Sequence, residues 1–188
     1  MKSNLIKTKK ALSTVVTTLI ILVVSVLLAT VVTFYAINVT TTRVQEESLM
    51  VSKQHIWHNG TTFAEAAFVI VNTGGRDVVI DKIAVRGQEC AWTTVYYNKT
   101  QDTISPDLTY ITPNPSGNLS GKSVTLGSTS YSLIQASDDL ILKSGWTMIV
   151  YIVNPDSVSV SDIGVTIGIT VHTANAQYYK ETNVAAAQ

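Results

Sequence analysis

One stretch limits what this chain can fold into more than any other. From Ala11 to Thr42 no residue is charged, and none is proline or glycine. Within it, Leu12–Ile37 holds sixteen Val, Leu, Ile or Phe residues in twenty-six. As a helix that segment is about 39 Å long, more than the roughly 30 Å that a bilayer core requires. It is apolar on every side, so it must be surrounded on every side. Burying each large aliphatic side chain is worth about 1.5–3 kcal/mol. Lipid, or further copies of the same helix, has to cover it. Val, Ile and Thr are mediocre helix formers in water. A dry environment keeps them helical, because the backbone has no other partner there.

The flanks orient the segment. Lys2, Lys7, Lys9 and Lys10 precede it, and the first acidic residue is Glu46. This bias keeps the N-terminus in the cytoplasm and sends the remainder outside. A cleaved secretory signal has an apolar stretch of about 7–15 residues followed by a small-residue site. This run is longer and has no such site after it, so it is expected to stay in the mature protein. Formal net charge is zero, but nine basic and thirteen acidic residues lie from Leu12 onward. A mildly acidic body of this kind is not a nucleic-acid binder, since phosphate contacts need clustered Lys and Arg. Only 14% of residues are charged. A neutral surface rich in Ser, Thr, Asn and Gln is common on exported proteins.

Lys9-Lys10-Ala11, followed by Leu12-Ser13-Thr14-Val15-Val16-Thr17-Thr18-Leu19-Ile20, resembles the prepilin signal of archaeal type IV pilins. The resemblance covers about thirty residues. In that family a prepilin peptidase cuts on the cytoplasmic side, after a small residue that follows basic ones. Carried over, the cut falls between Ala11 and Leu12. The order of residues is closer to the adhesive pilins than to archaellins, the motility-filament subunits, which tend to show glycine around the cut. Bacterial type IV pilins usually carry glutamate at the fifth mature position; here that position is Val16. The resemblance implies a structural subunit that leaves the membrane through an assembly machinery. It would form a homo-oligomeric helical filament on the cell surface, for adhesion. Val16, Leu19, Ile20, Val23, Leu27, Val31 and Phe34 would line the filament core. A non-closing, head-to-tail interface between identical helices makes a helical polymer.

Three segments follow: a leader over residues 1–11, the apolar helix over 12–50, and a β-rich head over 51–188. Strands are expected near 54–58, 62–72, 77–86, 89–97, 131–135, 139–143, 146–153, 163–173 and 177–184. Ile163, Val165, Ile167, Ile169 and Val171 alternate with small or polar residues and face inward. Gly164 and Gly168 on the outward face would admit another backbone. Trp146–Val153 is apolar on both sides, the pattern of a central strand covered on both faces. The stretch "VIVNTGGRDVVIDKI" (Val69–Ile83) reads as a hairpin turning at Asn72, Gly74 and Gly75. Residues 98–130 are rich in Ser, Thr, Asn, Pro and Gly and read as a long exposed loop. The whole reads as α+β: a long N-terminal helix and an antiparallel, Ig-like β-sandwich.

Chemistry-bearing motifs are few. Asn59, Asn98 and Asn118 begin Asn-x-Ser/Thr sequons in the part sent outside, and are candidate glycosylation sites. Asn38 also begins one but lies at the end of the apolar helix. His55 and His58 are three apart, which on a strand puts them on opposite faces, so no metal is expected. The chain has no EF-hand loop, G-x-S-x-G, H-E-x-x-H, phosphate-binding glycine loop or C-x-x-C pair. No cofactor is implied and no enzyme is expected. Cys90, the single cysteine, reads as a small buried hydrophobe. A second function class fits the same features: a membrane-anchored, monomeric surface module, similar to stator-like accessory proteins of the archaellum.

Overall fold

The computed structural model describes residues 3–44 and 46–187, with side chains from residue 13 to 42 in the first stretch and from residue 46 to 187 in the second. The chain divides into two compact units, Met1–Val44 and Gln45–Gln188. The first is one α-helix, α1 (Ser3–Val44). With no proline or glycine after its start, nothing interrupts the i→i−4 ladder. The helix ends before Met50, where the sequence pattern had extended it. Leu49 and Val51 are buried while Met50 is half exposed. That period of two places these residues in a strand, because the second unit needs both aliphatic side chains in its core.

The second unit is β-rich. Its strands are β1 (Leu49–His58), β2 (Ala64–Asn72), β3 (Val78–Val85), β4 (Gln88–Glu89), β5 (Val95–Thr100) and β6 (Ser123–Leu126), then β7 (Thr129–Ser132), β8 (Ile134–Gln135), β9 (Leu140–Leu142), β10 (Thr147–Val153), β11 (Thr166–Thr173) and β12 (Gln177–Ala186). All but β6 and β7 join one sheet in the order β4-β3-β11-β12-β1-β2-β10-β5-β8, with β9 also on β3; β6 and β7 form a separate hairpin. The sheet curls at β12. Gln177–Asn183 pair antiparallel with β11, and Val184–Ala186 pair with Ile56–His58 of β1. The β1–β12 pairing is parallel, unlike the wholly antiparallel arrangement expected. Curling brings two sets of strands onto one core. Ile56, Phe68, Ile70, Val150 and Ile152 pack there with Ile80, Ile83, Ile169 and Val171.

Several sequence expectations change in three dimensions. β2 and β3 are not a hairpin: β2 pairs with β1 and β10, whereas β3 pairs with β11, β9 and β4. The Asn72–Asp77 segment carries the chain from one half of the sheet to the other. Gly74 is needed there for space. A Cβ would meet the Glu46 carbonyl oxygen at 2.6 Å and the Ser48 nitrogen at 2.7 Å. That closeness lets the Thr73 and Gly74 amides both donate to the Ser48 carbonyl (2.9 and 3.0 Å). Asn72 holds the crossing, donating through Nδ2 to the Arg76 and Leu142 carbonyls (2.8 and 3.1 Å). The expected strand over 89–97 splits into β4 and β5, with a 3-10 turn at Trp92–Thr94 between them. β11 begins only at Thr166. Ile167, Ile169 and Val171 are buried as their alternation implied, while Ile163 and Val165 precede the strand and are exposed. The outward face at Gly168 is taken by the Tyr179 ring of the same chain, not by another backbone.

The largest correction concerns residues 98–130. They are not an exposed loop. β5 runs through Thr100, β6 lies at Ser123–Leu126, and Ile104, Leu108, Leu119, Val124 and Leu126 are buried. With Leu133 they form a second core against Ala67, Val69, Tyr96, Ile149, Tyr151 and Val153. β10 is buried along its whole length, as a strand apolar on both sides must be. The Ser-, Thr- and Pro-rich composition concealed the cover, because Ile104, Leu108 and Leu119 are isolated single residues and the Val124/Leu126 alternation is too short to stand out.

Candidate functional site: the apolar helix and the strapped sheet face

On α1, the segment Ser13–Thr42 is thirty residues long and apolar enough to cross a membrane by length and composition. None of it is buried within its own unit. Val16, Leu19, Ile20, Val23, Leu27, Val31 and Phe34 are all exposed, by 45% to 70%. So are Ile21, Leu22, Val24, Leu28, Val32 and Tyr35 on the remaining faces. The stripe from Val16 to Phe34 is therefore one part of a surface apolar all the way round. The expected cleavage residues Lys9, Lys10, Ala11 and Leu12 lie within the helical backbone, and their side chains are outside the described residues.

The hydroxyls of α1 show something the sequence could not. Thr17, Ser25, Thr30, Thr33 and Thr41 each donate to the carbonyl four residues earlier, at 2.6–2.9 Å. Thr42 and Asn38 do the same, at 2.8 and 2.9 Å. A polar group taken into an apolar phase without a partner costs several kcal/mol. These groups carry their partners with them, and the helix can enter lipid or a helical bundle without stranding them.

The three sequons differ in geometry. Asn59 ends the β1 side of a turn, where its Oδ1 accepts from the Thr61, Thr62 and Phe63 amides and from the Thr61 hydroxyl (2.9–3.1 Å). All of these bonds run to its oxygen. Asn98 lies on β5, not in a loop, and its Nδ2 donates to the Ser132 carbonyl at 2.7 Å. Asn118 uses both ends of its amide: Nδ2 donates to Ser116 Oγ, and Oδ1 accepts from Asn114 Nδ2 and the Ser120 amide. Glycan attachment consumes Nδ2, which Asn59 alone of the three does not commit to a hydrogen bond.

A third group of residues lies on the covered face of the sheet. Residues 105–111 form a strap tied down by four side chains. Lys53 Nζ donates to the Ser105 carbonyl (2.7 Å), and His55 Nε2 meets Asp107 Oδ1 (2.8 Å). Tyr151 Oη donates to the Thr109 carbonyl (3.0 Å), and the Ile111 amide donates to Glu65 Oε1 (3.0 Å). Lys53 has φ +53° at an irregularity in β1, which aims its side chain at the strap. His55 stacks on Trp57, and the Trp57 ring meets Tyr110 edge-on. The hydrogen bond from His55 holds the Asp107 carboxyl below the usual carboxylate range. Glu65 has no exposed surface, and its Oε2 has no hydrogen-bond partner among the described residues. Burial pushes its carboxyl up to about 8, against the lowering effect of the Ile111 amide. Sequence reading passed over Glu65. The available signal was a lone acid inside the apolar run Ala64–Val71. His58 is buried and its Nδ1 accepts the Gly60 amide. Among the described residues, no three His, Cys, Asp or Glu side chains converge on a possible metal position.

Together these features define a class: a chain with one N-terminal helix able to enter a membrane, followed by a β-rich domain with a curled sheet. Comparison with known proteins adds little. No family model matches the chain. No curated relative matches it. Among solved structures it is similar to the sporulation control protein Spo0M of Bacillus subtilis, at 6% identity and TM-score 0.33, over 75% of this chain and 50% of that one. It is also similar to a β-glucosidase of Erythrobacter marinus (9% identity, TM-score 0.29, 74% of this chain, 16% of that one). A family 123 glycoside hydrolase of Clostridium perfringens gives 9% identity and TM-score 0.29, over 74% of this chain and 26% of that one. The chain spans half or less of the length of these proteins, and likenesses this slight identify neither fold family nor activity.

Proposed function

We propose that this chain is the structural subunit of an extracellular type IV pilus-like filament. The precursor waits in the cytoplasmic membrane with its N-terminus inside. A prepilin peptidase removes residues 1–11, and an assembly machinery transfers the mature chain into a polymer built on α1. The head is an Ig-like β-sandwich displayed on the outside, and adhesion is its task. The observation that carries the reading is the helix surface: apolar on every face and internally hydrogen-bonded at most of its threonine and serine hydroxyls, behind a purely basic head. Loss of the four lysines removes the charges that hold the helix end at the cytoplasmic face. The helix then exchanges lipid for its copies with most of its hydroxyls already bonded to its own backbone. Glycans at the sequons would coat the outer surface.

N-terminal sequencing of material sheared from cells tests this. The expected result is a chain beginning at Leu12. Purified filaments that begin at Met1 overturn the proposal. Ala11→Leu is expected to leave uncut precursor in the membrane fraction. The thirty-residue apolar span also suits a monomeric anchored surface module. In that case the chain stays with lipid after shearing and is released only by detergent.

A further inference from the structure

We propose that residues 104–111 are a pH-sensitive latch on the outer face of the sheet, closed over a protonated Glu65 and progressively released as the pH rises. The inference rests on the packing of the β-rich unit and is independent of the filament reading.

The geometry isolates Glu65. It lies on β2 opposite Trp57 of β1 and Val153 of β10. One carboxyl oxygen accepts the Ile111 amide, and the other is buried without a partner among the described residues. The ionisable groups that face it are Tyr110 from the strap and Tyr151 from β10, and both phenols are disfavoured as anions by burial first and by Glu65 second. Asp107 on the strap acts on Tyr151 in the same sense. The cations on β1, Lys53 and His55, are committed to Ser105 and Asp107. A carboxylate formed at Glu65 therefore has one amide to stabilise it and no cation, and such a charge is expensive in a dry site. Peeling the strap back admits water to it.

The other ties do not depend on the Glu65 carboxyl. His55 holds Asp107 through the Nε2–Oδ1 hydrogen bond. Lys53 and Tyr151 hold the strap through backbone carbonyls, which do not titrate. Ionisation of Glu65 strengthens the single Ile111 amide bond, but the cost of a buried charge outweighs that gain, and opening the strap relieves the larger cost. Release uncovers Ile104 and Leu108 and the apolar face beneath them.

Amide hydrogen exchange on the full chain in non-ionic detergent micelles reads the latch directly. Exchange times are scaled for the intrinsic pH dependence of the chemistry. The closed carboxyl titrates near 8 and the open one near the ordinary 4.5, so opening grows by up to about tenfold per pH unit between them. Peptides spanning 104–111 are expected to exchange roughly fiftyfold faster at pH 7.5 than at pH 5.5, and to level off above about pH 8. Glu65→Gln should flatten most of that dependence while keeping an acceptor for the Ile111 amide. A corrected change of less than about threefold in the unmutated chain overturns the proposal. So does a Glu65→Gln chain with the full dependence. If that variant fails to fold, the unmutated chain still decides: peptides of 120–133 are the internal reference, and equal loosening there refutes a local latch.

Discussion

Replacing Leu119 with alanine separates two descriptions of residues 98–130. In an exposed loop, truncating one leucine changes stability by no more than about 0.5 kcal/mol. In the structure Leu119 has no exposed surface and packs in the second core with Val124, Leu126, Ile149 and Tyr151. Removing its isopropyl group takes away three carbons, each worth about 0.8 kcal/mol of burial. The cavity adds to this, and buried Leu→Ala changes cost about 2–5 kcal/mol in all. We expect about 3 kcal/mol. Guanidinium unfolding of the full chain in non-ionic detergent measures it, followed by tryptophan fluorescence, to which Trp57 of the same cluster contributes. Ile134→Ala is the reference, because Ile134 is 58% exposed, and it should lie within about 0.5 kcal/mol of the unmutated chain. An unchanged denaturant slope confines the effect to stability. A Leu119→Ala loss below 1 kcal/mol would refute the second core, and with it the strap that depends on it.

Other outcomes follow from single residues. Glu65 titrates near 8 in the fold and near 4.5 when unfolded, so the stability it permits is complete below about pH 4.5 and lost as pH rises to about 8. Glu65→Gln removes this slope, and thermal melts should show the variant about 3 kcal/mol more stable at pH 7 and equal or weaker at pH 4; parallel pH profiles would contradict the assignment. Gly74→Ala forces a methyl against the backbone of Glu46 and Ser48, which should cost at least about 1–3 kcal/mol and lower the melting temperature. The Cys90 thiol is buried and pushed up to about 11, chiefly by that burial. At pH 7.5 it should resist iodoacetamide until denaturant is added, and prompt labelling of the native chain would show the site is open. Peptide mass spectrometry of the native protein is expected to find glycan at Asn59 before Asn98 or Asn118, whose Nδ2 atoms donate to Ser132 and Ser116; occupancy confined to Asn98 would reverse that ranking.

Much of this molecule is written locally. α1 follows from thirty-two uncharged residues without a helix breaker, and its surface from the absence of any polar face. β2 and β10 follow from short apolar runs, and β11 from its alternation. Even the need for a cover over β10 was legible, since Trp146–Val153 is apolar on both sides. The candidate helix surface was therefore readable from residue types alone. The hydroxyl-to-carbonyl bonds that fit it for a dry environment appeared only with atomic positions.

Which strands became neighbours was settled by tertiary structure. An Asn-Thr-Gly-Gly turn between two strands favours a hairpin on local grounds. Here the two strands instead join opposite halves of a curled sheet, and Gly74 serves the close approach of Ser48. Ile104, Leu108 and Leu119 are too far apart in sequence to show a period, and they became a layer only because β2, β5 and β10 offered an apolar face. Glu65 acquired its raised affinity for a proton from that same layer. Period and breakers act over a few residues and are visible in one dimension, whereas burial depends on what the rest of the chain brings to the other side.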